Sequence, residues 1–504
     1  TIDGKSICTA STLTFSADEA GRYFILISAT NAGGTTEKEI RIDVFQLDVP
    51  TISIADADKG FKVLQGSELT ITPIVDSFLE TSYSWQINGE DISNELTCTL
   101  PTIELGEYQV RFATHNEDGD DEVTFKVEVC SPDQVDFNWT FLQTEYNMSA
   151  GRTIRIKPVD VNNALDAVYT WTVDNEQVQS GENDTYLFTS EQQGEHTVKV
   201  EMRNSYILAT QTLKINVCPP AGTYQRKISA TSSASMNKVY EYLPAPGQFI
   251  NENHTTTTMA EACTYAEERI NQTAYVSLGG FGGYIIVGFD HSIVNDGDYN
   301  IAITGNAFDG SSEPGIVWVM QDENGDGLPN DTWYELRGSE YGKAETWQDY
   351  AVTYHKPTGI QLPTPWTDNH GQSGSIDYLG AFHRQDYYYP AWVKEKQYTL
   401  RGTRLKERNY DQSGNGTYWV NDSYEWGYAD NFSAIDRLTD DDNYNAGPSD
   451  NHFKISHAVT FDGKDANLKY IDFIKVQVGV NSKSGWLGEI STEVFGIKDF
   501  NMLK

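Results

Sequence analysis

A chain of 504 residues has room for roughly three to five domains, and 73 acidic against 36 basic residues leave a formal charge of -37. Following a nucleic-acid backbone needs clustered Lys and Arg, so that class is set aside, whereas an acidic surface favours solubility and concentrates divalent cations. Aromatics make up 12% of the chain, high for so charged a sequence, and suit β-sandwiches with sticky faces. Cys8, Cys98, Cys130, Cys218 and Cys263 are spread about one per module without a CxxC pair, so neither a disulfide framework nor a zinc site is expected. No apolar run reaches the eighteen or more residues of a membrane-spanning helix.

Three segments repeat along the first part of the chain. Gly21-Arg-Tyr-Phe-Ile-Leu-Ile-Ser-Ala-Thr-Asn31 aligns with Gly106-Glu-Tyr-Gln-Val-Arg-Phe-Ala-Thr-His-Asn116 and with Gly194-Glu-His-Thr-Val-Lys-Val-Glu-Met-Arg-Asn204. Each is a turn glycine followed by period-two alternation, which predicts a strand with one buried face. A second alternating strand follows at Glu39–Val44, Thr124–Val129 and Thr212–Val217. Upstream, Tyr83-Ser-Trp85 and Tyr169-Thr-Trp171 occupy equivalent places, with each Trp expected in a core. The Gly and Asn marks are read as structural.

Repeats of about 80 to 90 residues built of strands and turns indicate immunoglobulin-like sandwiches. The Gly-x-Tyr-x-Val strand and the Tyr-x-Trp strand resemble PKD-like and bacterial Ig-like modules over roughly residues 1–218, which implies a spacer on an extracellular protein. Thr1 aligns one residue after the Trp of the later modules, so residues 1–47 are expected to be the C-terminal half of a module whose opening strands lie upstream of this numbering. Further modules are expected over 48–130 and 131–218, and Cys218-Pro219-Pro220-Ala-Gly222 is the predicted hinge, because Pro-Pro cannot continue a sheet.

Residues 223–504 break the period and are read as one large β-domain. Thr255–Thr258 supply a cap for a helix whose Met259, Cys263, Ala266 and Ile270 share one face. Strands are expected at Gly283–Phe289, Tyr299–Ile303, Ile316–Met320, Tyr350–Tyr354 and Leu468–Val480. The predicted fold is therefore all-β: tandem PKD-like/Ig-like β-sandwiches followed by a large jelly-roll-like β-sandwich with one short helix and long loops.

Within that domain Asp322-x-Asn324-x-Asp326-Gly327 matches the first half of a calcium-loop consensus, in which oxygens at alternate positions converge because Gly at the sixth place allows a sharp turn. The Leu328 carbonyl and Asn330 take the seventh and ninth places; position twelve is Trp333, so Asp331 or Glu335 has to complete the shell. A structural Ca2+ is expected, fixing the loop that carries Trp333 and Tyr334; a plain turn is the alternative reading.

The chain beyond is rich in aromatics set among Asn, Asp and Gly: Trp366-Thr-Asp368-Asn369, Tyr388-Tyr389-Pro-Ala-Trp392, Trp419, and Trp426-Gly-Tyr428-Ala-Asp-Asn431. Flat rings flanked by amides and carboxylates suit a sugar face or an amide-decorated macrocycle, against the alternative of a hydrophobic cluster beneath the loops. Trp333, Tyr334, Trp366, Asp368, Asn369, Tyr388, Tyr389, Trp392, Trp419, Trp426, Tyr428 and Asn431 form the candidate ligand face. Nucleophile, metalloprotease and phosphate-loop motifs are absent, and Asp430, Asp436 and Asp440-Asp441-Asp442 read as loop charges or calcium ligands, so no enzyme is expected. Paired acids of a glycosidase are the remaining catalytic alternative.

A longer series carries a second resemblance: Val276-Ser-Leu-Gly-Gly-Phe-Gly-Gly-Tyr-Ile-Ile-Val-Gly-Phe-Asp290, Gly305-Asn306-Ala-Phe308, Glu313-Pro314-Gly, Tyr389-Pro-Ala-Trp392, Gly427-Tyr-Ala-Asp-Asn431 and Gly485–Gly496. In this order they resemble the C-terminal domain of the "cell surface protein" family of Bacteroidota, over nearly all of 223–504. The resemblance implies an outer-membrane lipoprotein on the extracellular face, held by a lipid-bearing cysteine upstream of this numbering. Some members resemble lipoproteins that capture cobalamin for a TonB-dependent transporter. Corrinoid capture is accordingly the leading functional expectation, with a glycan-binding module or a structural, adhesive surface protein as alternatives.

Overall fold

The computed structural model describes all residues except 1–4, 18–20, 45–46, 56, 78, 132–136, 163, 165, 205–206, 255 and 439–447. Two compact units result, one of residues 1–61, 73–100 and 106–128, the other of 62–72, 101–105 and 129–504. Asp440, Asp441 and Asp442 lie outside the described residues.

In the first unit Gly21–Asn31 pairs antiparallel with Gly34–Val44 along its whole length. Gly106–Asn116 pairs with Ser82–Ile87, which sets Phe112 opposite Trp85. Both rings are fully buried, with centroids 4.6 Å apart. The second unit repeats the pattern: Gly194–Arg203 lies between Val168–Val173 and Leu208–Cys218, with Val200 opposite the buried Trp171. Its inward face is His196, Val198, Val200 and Met202, as the alternation predicts.

The second strand of the first hairpin begins earlier than its hydrophobic pattern, because pairing resumes right after a two-residue turn. The repeated Asn holds such turns. Asn31 Oδ1 accepts from the Gly33 N–H at 2.7 Å, Asn116 Oδ1 from Asp118 and Gly119, and Asn204 Oδ1 from Ile207.

The C-terminal domain holds β1 (Lys238–Leu243), α1 (Met259–Asn271), β2 (Val276–Ser277), β3 (Tyr284–Val294), β4 (Ile301–Gly305), β5 (Gly315–Met320), β6 (Trp333–Leu336), β7 (Trp347–His355), β8 (Thr364–Asp368), β9 (Ser373–Ile376) and β10 (Gln397–Arg404). Beyond them come β11 (Asn409–Asp411), β12 (Trp419–Asn421), β13 (Ser449–Phe453), β14 (Ala458–Val459), β15 (Tyr470–Val478), β16 (Glu493–Val494) and β17 (Gly496–Asp499). A six-stranded antiparallel sheet runs β1-β3-β15-β5-β6-β14, a three-stranded one β13-β4-β17 and a four-stranded one β9-β8-β7-β10. Side chains from all three meet in one hydrophobic core, including Val287, Ile303, Val319, Tyr354, Leu400, Ile474 and Ile497. β15 is buried on both faces over Tyr470–Ile474, and the one polar residue of that run, Asp472, is answered by Arg226 and Ser292. The molecule is thus all-β, with tandem sandwiches ahead of a jelly-roll-like sandwich.

Helix α1 begins where the sequence places it. Thr258 is its N-cap, the hydroxyl accepting from the Glu261 N–H at 3.2 Å. Cys263, Ala266 and Ile270 are buried as expected, and Ala262 joins them.

Trp171→Ala removes the ring around which the third module is packed. A loss of about 3–5 kcal/mol is expected for that module. The check is a lower denaturant midpoint for hydrogen-exchange protection of Val198 and Val200, with Val319 and Ile474 unchanged.

Candidate functional site

Three places carry chemistry: the Asp322 loop, a pocket beside Trp426, and a buried acid cluster.

The Asp322 loop links β5 to β6. Asp322 Oδ1 accepts from the Gly325 N–H at 2.7 Å and Oδ2 from Gly327 at 3.1 Å, while Asp326 Oδ1 accepts from Leu328 at 2.7 Å. Gly325 (φ 76) and Gly327 (φ 74) take the left-handed backbone this turn needs. The Gly325 Cα also lies beneath the Tyr224 ring, where a Cβ would sit 2.6 Å from Cδ1. Asn324 and Asn330 both donate side-chain N–H groups to Asp326 Oδ2. Asp331 is buried and leaves Oδ1 without a described hydrogen-bond partner. Burial pushes its carboxyl up to about 8 and also raises Asp322 and Glu323. Asp322, Asn324, Asp326 and Asn330 thus stand together in one hydrogen-bonded turn, with the Leu328 carbonyl and Asp331 following in the same loop.

Glu335 does not belong with them. It lies on β6 opposite Trp318, and its buried carboxylate accepts from the Thr403 hydroxyl on β10. The strand places it four residues beyond Asp331, so the expectation that it completes the shell is corrected.

The loop also abuts the third module. Ser149 N–H donates to Glu323 Oε2 at 3.1 Å, the Asn147 side chain to the Asn330 carbonyl at 3.3 Å, and Arg152 to the Ala466 carbonyl at 2.6 Å. Arg152 stands 5.6 Å from the centre of the Tyr334 ring. Tyr334 is therefore interior packing; Trp333 is half-buried.

Half of the expected ligand face turns inward. Tyr388, Tyr389, Trp392, Tyr428 and Asn431 are buried along with Tyr334, correcting the expectation that they face a ligand. Tyr388 accepts from the Leu379 N–H and donates to the His383 carbonyl, Tyr389 donates to the Glu395 carbonyl, and Tyr428 accepts from the Glu340 N–H. Asn431 exchanges two 2.8 Å hydrogen bonds with the Tyr424 backbone. Asp368 accepts from the Tyr350 hydroxyl at 2.6 Å and from two turn amides, and Asn369 caps β7 through Ala351. Both are structural. Trp366 and Trp419 stay half-buried, each lying over a glycine, Gly374 and Gly485.

Trp426 differs, because it lines a cavity of about 300 Å³ with Arg337, His452, Lys454, His457 and Tyr299. The Trp426 and His457 ring centroids are 5.1 Å apart. Burial, then the Arg337 and Lys454 charges, hold His457 below the usual histidine range, so its imidazole is neutral at pH 7. The wall is rigid. Gly427 (φ 90) passes so close that a Cβ would lie 2.4 Å from the Gly338 Cα, and its N–H donates to Asp436 Oδ2 at 2.6 Å. Asp436 is buried, its other oxygen accepting from Asn451. It is a strut of the pocket and not a solvated charge. Of the sequence candidates, Trp426 alone reaches this pocket. Arg337, Lys454 and His457 were missed because Arg337 follows β6 while Lys454 and His457 follow β13, and neither segment lies near Trp426 in the chain.

The acid cluster joins Glu313, Asp430 and Glu493, with one oxygen of each within 4.8 Å of the others. Glu313 and Glu493 were missed as well; the one signal was their place in the quoted Glu313-Pro314-Gly and Gly485–Gly496 segments. Buried carboxylates this close leave no space for a sugar ring between them, so they are not the flanking pair of a glycosidase.

The PKD-like domain family matches residues 49–116 and 121–204. These are tandem Ig-like modules of a type typical of extracellular surface proteins and usually without catalytic activity. Among solved structures, the chain is similar to fibronectin(III)-like modules of CbhA from Clostridium thermocellum, at 16% identity over 36% of this chain and 100% of that one, TM-score 0.18. It is also similar to the titin domains z1z2 in complex with telethonin, at 20% identity over 35% and 100% of the chains, TM-score 0.15. Three N-terminal domains of the Hoc capsid protein of bacteriophage RB49 match at 13% identity over 40% and 80%, TM-score 0.19. No curated protein matches. Among the described residues no helix is long and apolar enough to cross a membrane.

Burial pushes the Glu335 carboxyl from an ordinary 4.5 up to about 7. The fold favours its protonated form, so the stability contributed below about pH 4.5 is lost as pH rises through 7. Glu335→Gln should leave denaturant stability unchanged at pH 4.5 and raise it at pH 8, by on the order of 1–3 kcal/mol.

Proposed function

We propose that this chain is a non-enzymatic ligand-capture protein of the cell surface, with Ig-like modules as spacers and the Trp426 pocket as its recognition site. The observation that carries this reading is the pocket itself: a half-buried indole, a neutral imidazole, Arg337 paired with Asp465, and Lys454 3.9 Å from Asp298 around one cavity that Asp436 also lines, in a strongly acidic protein. That set suits a ligand with a flat face, amide donors and a negative group. A cobalamin-like corrinoid has all three, in its ring systems, its side-chain amides and the phosphate of its nucleotide arm. At about 300 Å³ the cavity takes an arm or edge of such a molecule and leaves the corrin outside. Trp426 would stack, Arg337 and Lys454 would face the phosphate, and His457 would accept from an amide. Delivery to a TonB-dependent transporter and an outer-membrane lipid anchor belong to the same reading.

The second reading is a glycan-binding surface module. It is favoured by the partial exposure of the Trp366, Trp419 and Trp426 rings, which offer stacking surface.

Calorimetry of the full chain with cyanocobalamin should give saturable binding, weakened about tenfold or more by Trp426→Ala, the usual scale for losing an aromatic anchor. Absence of heat at micromolar protein would sink the corrinoid reading. A glycan-array signal lost in Trp366→Ala or Trp426→Ala would support the second.

We also propose a structural Ca2+ in the Asp322 loop, which would stiffen the junction with the third module. Calcium should raise the melting temperature of the chain, and Asp326→Ala should remove the loop's share of that rise. If chelation leaves melting unchanged, the loop is only a turn.

A further inference from the structure

We propose a second cation site, held by Glu313, Asp430 and Glu493 and selective for a hard divalent ion, Ca2+ before Mg2+.

The three residues come from distant parts of the chain. Glu313 precedes β5, Asp430 lies in the loop between β12 and β13, and Glu493 opens β16. Asp430 and Glu493 are 1% and 4% exposed, and Glu313 is half-buried. Asp430 Oδ1 accepts from the Asn306 and Ala307 N–H groups at 2.8 and 2.9 Å, and its Oδ2 from Glu493 N–H at 2.9 Å. Glu313 Oε1 accepts from Ser491 N–H at 3.3 Å. Among the described residues no Lys, Arg or His pairs with any of the three.

The independent observation is Glu493 Oε1. It is buried, sits on a residue of the cluster, and has no hydrogen-bond donor among the described residues, while the Glu313 and Glu493 carboxyl groups lie in contact and need a proton or a cation between them. A buried carboxylate oxygen without a donor is costly, and two like-charged neighbours in a low-dielectric interior add to that cost. A divalent ion would relieve the missing donor and the like-charge repulsion at once.

The donor chemistry selects the ion. All donors are carboxylate oxygens, without sulfur or imidazole, which favours a hard cation over zinc or copper. Two oxygens on opposite sides of an ion at Ca–O distances of about 2.4 Å lie about 4.8 Å apart. The three oxygens all lie within 4.8 Å of one another, so one ion can reach all three. Mg2+ needs a tighter shell and keeps its waters. Bound there, the ion ties β5 and β16 to the loop that ends the Trp426 segment.

The test uses the full chain carrying Asp326→Ala, so that the Asp322 loop takes no ion, after stripping with a chelator. Equilibrium dialysis should then find one Ca2+ per chain, at least about tenfold tighter than Mg2+, and none when Glu493→Gln is added. Hydrogen exchange of the unmutated chain keeps the question open to measurement should that variant misfold: Ca2+ should slow exchange at residues 427–431 and 491–494. Two results overturn the site. One is no bound ion in Asp326→Ala with no change in exchange at those segments. The other is a Glu493→Gln variant that melts higher than its parent with and without Ca2+, which would mean the cluster is held by shared protons.

Discussion

A buried tyrosine must give its hydroxyl a partner, and that requirement organises the C-terminal domain. Tyr242 donates to the Ser277 carbonyl, Tyr354 to Phe281, Tyr398 to Pro244, Tyr389 to Glu395 and Tyr424 to Lys406. Most of these acceptors lie outside the regular strands, so each ring anchors a loop to the core while its body fills space between sheets. Long loops rich in Asp, Asn and Gly thereby become fixed structure. The wall of the Trp426 pocket inherits that rigidity, since Tyr428 beneath it accepts from the Glu340 backbone.

Carboxylates supply the opposite tension. Asp472 is buried but answered, by Arg226 at 3.0 Å and by the Ser292 hydroxyl at 2.6 Å. Asp430 and Glu313 have backbone donors, and among the described residues no base pairs with either of them or with Glu493. Asp331 and Glu323 each leave an oxygen without a described hydrogen-bond partner. An acidic chain that buries its acids in this way concentrates negative charge at two separate points of one domain. Both points lie where distant segments meet: the Asp322 loop against the third module, and the acid cluster between β5 and β16.

Local patterning was the legible part. Period-two alternation located the repeated strands, the Tyr-x-Trp segments located Trp85 and Trp171 in their cores, and the Thr258 cap located α1, because each signal depends on neighbours within a few residues. The polarity around Tyr388, Tyr389 and Tyr428 misled for a specific reason. Asn, Asp and Gly beside a ring look the same in sequence whether they face a ligand or close a turn above a buried ring. Glu335 misled similarly: counting along a loop put it near Asp322, but β6 had already begun at Trp333 and carried its side chain toward Thr403.

By itself the sequence determined an all-β chain, its tandem modules and the turn geometry of the Asp322 loop, since all follow from short-range sterics and burial period. Only the tertiary structure decided which aromatics are interior and which line a pocket. It also brought His457, Lys454 and Arg337 beside Trp426, and Glu493 beside Asp430 and Glu313. Those meetings depend on strand order in three sheets sharing one core, a long-range arrangement that no spacing along the chain encodes.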